Sequence, residues 1–146
     1  MKISLLSTVL VLLQFSCIGI LMYTGPLIPA NTAGIVLFTL AMVIALATTY
    51  AFRQSKLTVF PEPRRNATLI SSGIFAYIRH PYYSSVLLYT AAILTAHCSY
   101  WRLAVAITLL LVIVRKMVHE EKLLCQHFPD YAAYRQRTKK LIPFVW

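Results

Sequence analysis

Apolar side chains run almost unbroken from Ile3 to Tyr23, where the only polar residues are small or amide ones: Ser4, Ser7, Thr8, Gln14 and Ser16. That length predicts a membrane-spanning helix, because about 20 apolar residues cross the hydrocarbon core with their backbone hydrogen bonds satisfied internally. A cleaved signal peptide is the rival reading and fits less well. The run exceeds the usual apolar region of roughly 7 to 15 residues, Lys2 alone would supply the charged start, and Gly25-Pro26 with Pro29 makes a poor cleavage site. Gly34 to Phe52 predicts a second span, closed by Arg53 and Lys56. Pro81 opens a third apolar run that ends near His97, and Cys98-Ser99-Tyr100 leaves a tight turn before a fourth, Trp101 to Val118. The pattern predicts an all-α integral membrane helical bundle of about four transmembrane helices, over 3–23, 34–52, 82–97 and 101–118, within one domain covering 1–146. The third run is short, roughly 24 Å at 1.5 Å per residue, and is expected to rely on tilt mismatch, snorkelling or burial against its neighbours.

Composition agrees with the pattern. The chain is 59% hydrophobic with four acidic residues and a mean hydropathy of +0.69, too apolar for a soluble domain of its length. Arg53, Lys56, Arg64, Arg65 and Arg79 fill the second connection, 53–81, while the first, 24–33, is uncharged. By the positive-inside rule both termini, that connection and the tail 119–146 are expected to be cytosolic. Arg102 falls on the far side beside Tyr100 and Trp101, a setting for an interfacial anchor. All four acids, Glu62, Glu120, Glu121 and Asp130, fall on the cytosolic side.

The net charge of +10 has a plain explanation in topology and attraction to anionic membrane lipids. No aromatic-basic module surrounds the basic residues, so no nucleic-acid partner is expected. Cys17, Cys98 and Cys125 are odd in number and lack metal spacing, and His119 and His127 are eight apart rather than four. Neither a disulfide nor a metal is predicted. Beyond the fourth span the helical pattern continues through Arg115-Lys116-Met117-Val118-His119-Glu120-Glu121-Lys122, with Lys116 and Glu120 one turn apart. Pro129-Asp130 suits a fresh helix start that places Tyr131, Tyr134 and Arg135 on one face, and Pro143 ends the run.

The usable chemistry collects in Arg79-His80-Pro81-Tyr82-Tyr83 and in Glu120-Glu121, about forty residues later. Each has a bland reading alone: an interfacial anchor with a helix-starting proline, and a solvated ion-pair network. Their occurrence together, in order and on one membrane face, points to a site.

These residues resemble the membrane-embedded methyltransferases related to isoprenylcysteine carboxyl methyltransferase, which share a C-terminal signature with phospholipid methyltransferases. Ser72-Gly73-Ile74-Phe75-Ala76-Tyr77-Ile78 running into Arg79-His80-Pro81-Tyr82-Tyr83 is similar to that family's glycine-aromatic segment and RHPxY, and Glu120-Glu121 to its paired glutamates. Phe128-Pro129-Asp130-Tyr131-Ala132-Ala133-Tyr134 and Thr138-Lys139-Lys140-Leu141-Ile142-Pro143 resemble its closing FGxxYxxY and basic-Leu-Ile-Pro elements. The likeness covers Leu69 to the end. Ser85 and Pro129 replace two of the family's glycines, and Lys116, with Arg115 beside it, stands where arginine is usual. Lysine offers no bidentate fork, so a clamping role would be shared with Arg115.

The resemblance implies methyl transfer from S-adenosylmethionine, and the residue types suit that cofactor. Arg79 and His80 can donate to its carboxylate, Glu121 or Glu120 can accept from its ammonium or ribose, and Tyr83, Phe128 and Tyr131 can wall the adenine or face the sulfonium. Gly73 and Tyr77 join the cofactor site by resemblance. Arg115, Lys116 and Glu120 are expected at the reacting centre, where the cationic cluster with His119 favours an anionic acceptor. The membrane setting implies a lipid-like or lipidated small substrate, with a carboxylate of the isoprenylcysteine type favoured. A phospholipid amine, an NADPH-dependent membrane reductase and an anionic-lipid-binding adaptor without catalysis are the alternatives.

Overall fold

The first helix, α1 (Leu5–Thr24), begins where the Ser4 hydroxyl accepts from the Ser7 backbone N–H, an N-cap bond. It ends at Gly25, whose N–H closes on the Leu21 carbonyl. A β-carbon on Gly25 would lie 2.5 Å from the Ile93 side chain, so only glycine permits this approach of α1 to the helix carrying Ile93. The structure, a computed structural model, describes residues 4–53, 61–62 and 68–143. Lys2, Lys56, Arg64 and Arg65, on which part of the charge argument rests, lie outside the described residues.

Among the described residues four more α-helices follow: α2 (Thr32–Phe52), α3 (Pro81–Ala96), α4 (Tyr100–His127) and α5 (Tyr131–Arg137), with one 3-10 turn, Gly73–Ala76, ahead of α3. Among the described residues there is no strand, and the all-helical expectation holds. Pro81 occupies the first turn of α3, where its missing N–H costs no bond. The fourth apolar run and the charged segment after it form one helix, α4, that continues to His127 before Pro129.

Two of these helices, α1 and α2, are long and apolar enough to cross a membrane. In α2 only 11% of the apolar window is buried inside the protein, which is the reverse of a soluble core helix. Leu12, Val36 and Leu46 are each more than 60% exposed, and an apolar belt of that kind belongs against lipid. α3, at 16 residues, falls below that length, and α4 carries Arg102, Arg115 and Lys116 close to or within its apolar stretch.

The helices pack chiefly as two pairs, α2 with α3 and α1 with α4. Cys17 and Leu21 of α1 bury against Leu109, Ile113 and Met117 of α4. At one end, Arg102 binds the pairs together: its guanidinium donates to the carbonyls of Thr24 and His97 and lies 4.8 Å over the Trp101 ring. A cation on the last carbonyls of α1 is also favoured by that helix's dipole. This is a more specific role than the interfacial anchor expected for it.

At the opposite end Glu62 closes the connection after α2 onto α1. Its Oε1 accepts from the Ser7 hydroxyl at 2.5 Å and from the Ser4 N–H at 3.0 Å. Burial pushes the Glu62 carboxyl up, and the bonds from Ser7 and Ser4 more than reverse this, leaving it below the usual range. A charged carboxylate at a helix N-terminus is the favourable arrangement.

The tail folds back over the segment before α3. Lys139 pairs with Ile78 in a parallel bridge, and the N–H groups of Arg79 and His80 donate to the carbonyls of Lys139 and Lys140 at 2.8 and 3.0 Å. The Ser84 hydroxyl donates to the Leu141 carbonyl at 2.7 Å. The Tyr134 hydroxyl donates to the Phe75 carbonyl at 2.7 Å. Residues 138–141 thus act as a splint along 77–80.

Candidate functional site

The splint fixes Arg79 and His80 at the start of α3, opposite the stretch of α4 that carries Lys116, Glu120 and Glu121. One turn of α3 separates His80 from Tyr83, whose ring stacks on the imidazole at 5.5 Å. One turn of α4 separates Lys116 from Glu120, so both face the same way.

Arg79 and Glu121 form a buried pair. Arg79 Nε donates to Glu121 Oε1 at 2.8 Å, with both side chains less than a tenth exposed. Nη1 donates to the Arg135 carbonyl at 3.1 Å and to both the carbonyl and hydroxyl of Thr138. His80 Nε2 stands 3.4 Å from the same Glu121 oxygen. It is buried and has no aligned hydrogen-bond partner among the described residues. Burial pushes the Glu121 carboxyl up, but His80 and Arg79 outweigh it and hold the group at about 2, against an ordinary 4.5. A carboxyl depressed on folding adds stability that is complete above the unfolded value and lost as pH falls through the folded one. Unfolding midpoints of detergent-solubilised protein are therefore expected to drop on acidification below about pH 4.5, and Glu121→Gln should flatten that slope.

Glu120 lies closer to open space, with its side chain 25% exposed. The Tyr83 hydroxyl donates to its Oε2 at 2.8 Å, and His80 Nδ1 lies 3.9 Å from the same oxygen. Lys116 is 1% exposed. Its Nζ donates to Gln14 Oε1 at 2.8 Å and lies 5.4 Å from the centre of the Tyr83 ring.

These groups border a cavity of about 450 Å³, lined by Arg79, His80, Tyr83, Lys116 and Glu120 together with Gln14, Phe15 and Ile18 of α1, Phe52 of α2, Phe75, Pro81, Tyr82 and Val86. Its volume lies in the range of small-molecule sites, about 300 to 1,000 Å³. Polar groups gather at one side of an otherwise apolar and aromatic wall.

Of the residues singled out from sequence, Arg79, His80, Tyr83, Lys116 and Glu120 line the cavity, and Glu121 stands behind His80. The others lie elsewhere. Arg115 is exposed, one residue and about 100° round the helix from Lys116. Gly73, at φ 62°, supplies the left-handed turn that starts the 3-10 segment, a conformation that glycine adopts without strain. Tyr77 borders a separate apolar groove beside Ile78, Leu87 and Leu141. Phe128 and Tyr131 pack with Leu124 and Tyr134 in a second core under the tail. Burial and the charge of Glu121 push the Tyr131 phenol up, and burial takes Tyr134 up to about 12 against the pull of Arg79. Both remain neutral phenols at neutral pH.

Gln14, Phe52 and Phe75 were not anticipated as site residues. For Gln14 a signal was present: Ser7, Leu10, Val11, Gln14, Cys17 and Leu21 make one helical stripe, all buried, and an amide on the protein-facing stripe of an apolar helix needs a partner. Among the described residues no group of three or more histidine, cysteine or acidic side chains is arranged to hold a metal.

The family pattern described as phospholipid methyltransferase matches residues 30–131, more than half of the chain. No curated protein matches it. The match runs from α2 to the start of α5 and takes in every polar cavity residue except Gln14. On that extent of match, the chain belongs to the phospholipid methyltransferase family, which includes isoprenylcysteine carboxyl methyltransferase-like proteins, and it is a membrane methyltransferase.

Proposed function

We propose that this chain is a four-span membrane enzyme, with both termini and its site on the cytosolic side, that moves the methyl group of S-adenosylmethionine to a carboxylate on a lipid-like acceptor such as an isoprenylcysteine. The observation that carries the reading is the buried Lys116 ammonium among the side chains that line the cavity. A cation there attracts an anionic acceptor, while Phe15, Ile18 and Val86 offer hydrocarbon contact for the rest of it.

The family implies S-adenosylmethionine as methyl donor, and the residues fit it. His80 borders the cavity with its Nδ1 on the side of Glu120, its Nε2 being turned to Glu121. Glu120 and the rings of Tyr83, Phe52 and Phe75 provide the negative and aromatic surface that a sulfonium favours. When bound, this group supplies an electrophilic methyl whose bond to sulfur breaks as one to the acceptor oxygen forms, the electron pair remaining on sulfur. A carboxylate is already ionised, so the chain need supply no base. Its residues align the acceptor, exclude water and hold the charges that are lost as the ester forms.

A phospholipid amine is the second reading, favoured by the part-exposed Glu120 carboxylate, which could take the amine's proton. Calorimetric titration of the purified protein with S-adenosylmethionine and S-adenosylhomocysteine tests the common ground of both. Saturable binding with a Kd of about 1 µM to 1 mM, lost in His80→Ala and weakened in Glu120→Ala, is the expected result. No binding in detergent or in lipid would remove the methyltransferase reading of this cavity and turn attention to a reductase or an adaptor.

A further inference from the structure

Gln14 lies on α1, outside the residues that the family pattern matches, yet it lines the cavity. It is 6% exposed in a helix otherwise made of apolar and small residues, where an amide is costly unless it is bonded. Its Oε1 accepts from Lys116 Nζ. An ammonium has donors only, so the amide must turn its oxygen to Lys116 and its NH₂ the other way. No described residue accepts from that NH₂.

Lys116 is equally unusual. Among the described residues no carboxylate lies within ion-pair distance of it: Glu121 is taken by Arg79, and Glu120, which acts on Lys116 only through space, by Tyr83 and His80. The ammonium rests on one amide oxygen and one aromatic face. A buried charge so thinly compensated is a place for an anion. The wall continues past Val86 into a second, apolar cavity of about 430 Å³ bordered by Met22, Phe38 and Tyr89, room for the hydrocarbon part of an amphiphile.

We infer that Gln14 and Lys116 form an oxyanion clamp, the amide NH₂ and the ammonium both donating to the carboxylate of an amphiphilic acceptor. This makes α1 part of the acceptor site and rests on the carboxylate reading above. Gln14 positions Lys116 through its oxygen and touches the ligand through its nitrogen.

The test measures binding without the methyl donor. N-acetyl-S-farnesylcysteine and its methyl ester differ only in whether the carboxylate is charged, and each is titrated into the full chain in detergent. The wild type is expected to prefer the acid by about tenfold or more, the size of one charge-assisted hydrogen bond. Gln14→Leu should remove most of that preference. Gln14→Glu keeps a partner for Lys116, and hence the fold, but fills the clamp with its own carboxylate and should abolish the preference. Unfolding midpoints in detergent should stay near that of the wild type in both variants, which a general loss of structure would not allow. A wild type that binds acid and ester equally, or a preference that survives both substitutions, overturns the clamp. Acid preference without binding of S-adenosylmethionine would instead keep the clamp and overturn the methyltransferase reading of the cavity.

Discussion

Arg79→Ala is expected to cost about 3 to 5 kcal/mol of stability, the usual penalty for leaving a buried charge without its partner. The substitution strands Glu121 in the protein interior and frees two carbonyl acceptors on the tail, those of Arg135 and Thr138. Arg79→Lys should recover only part of the loss, since one ammonium cannot reach Glu121 and the tail carbonyls in the fork geometry of a guanidinium. Removing both charges, by Arg79→Met with Glu121→Leu, should be milder than either single change, because the desolvation cost of each ion disappears with it. Denaturation in detergent, with proteolysis of the tail as a second readout, checks the series. A fully stable Arg79→Ala that merely fails to bind S-adenosylmethionine would show that the arginine serves the cofactor and not the fold.

Lys116→Met is the substitution expected to act most on catalysis. The side chain keeps its length and apolar stem, so α4 should pack as before, while the acceptor loses its charged partner. A fall of roughly ten- to a hundredfold in kcat/KM for a carboxylate acceptor follows from a charge-assisted bond worth about 1.5 to 3 kcal/mol, with binding of S-adenosylmethionine unchanged. Glu120→Gln separates the two acceptor classes. With a carboxylate acceptor it should act mainly on donor affinity, whereas with an amine it should remove a general base and lower kcat by about 10² to 10⁴. A Lys116→Met enzyme with full activity on a carboxylate would refute the acceptor assignment.

The meeting of Arg79 and His80 with Glu120-Glu121 was legible because the two groups flank an apolar hairpin whose two ends lie together. Which side of each helix the charges occupy was less so. Arg115 and Lys116 are neighbours in sequence, yet one is exposed and the other 1% exposed, a difference set by packing against α1. Gln14, one of five polar residues in an apolar run, was not singled out, since nothing in α1 itself says that Lys116 lies against it. Arg79 read as a ligand for the cofactor. Besides Glu121, the groups that hold it come from the tail, more than fifty residues on, and a parallel pairing between 77–80 and 138–141 leaves no periodic trace in either segment. Tyr131 and Phe128 carry the aromatic surface expected of an adenine wall, but the turn at Pro129 aims them into the second core.

The splint along 77–80 also sets the order in which this protein can become an enzyme. Ribosomes deliver the helices from the N-terminus, and α1 to α4 are all synthesised ahead of Thr138. Until then the N–H groups of Arg79 and His80 lack the carbonyls that hold them, and the guanidinium lacks its anchors on Arg135 and Thr138. A chain stalled or clipped ahead of residue 138 would carry an unbraced His80, so the brace is complete only in molecules whose synthesis has run through the tail.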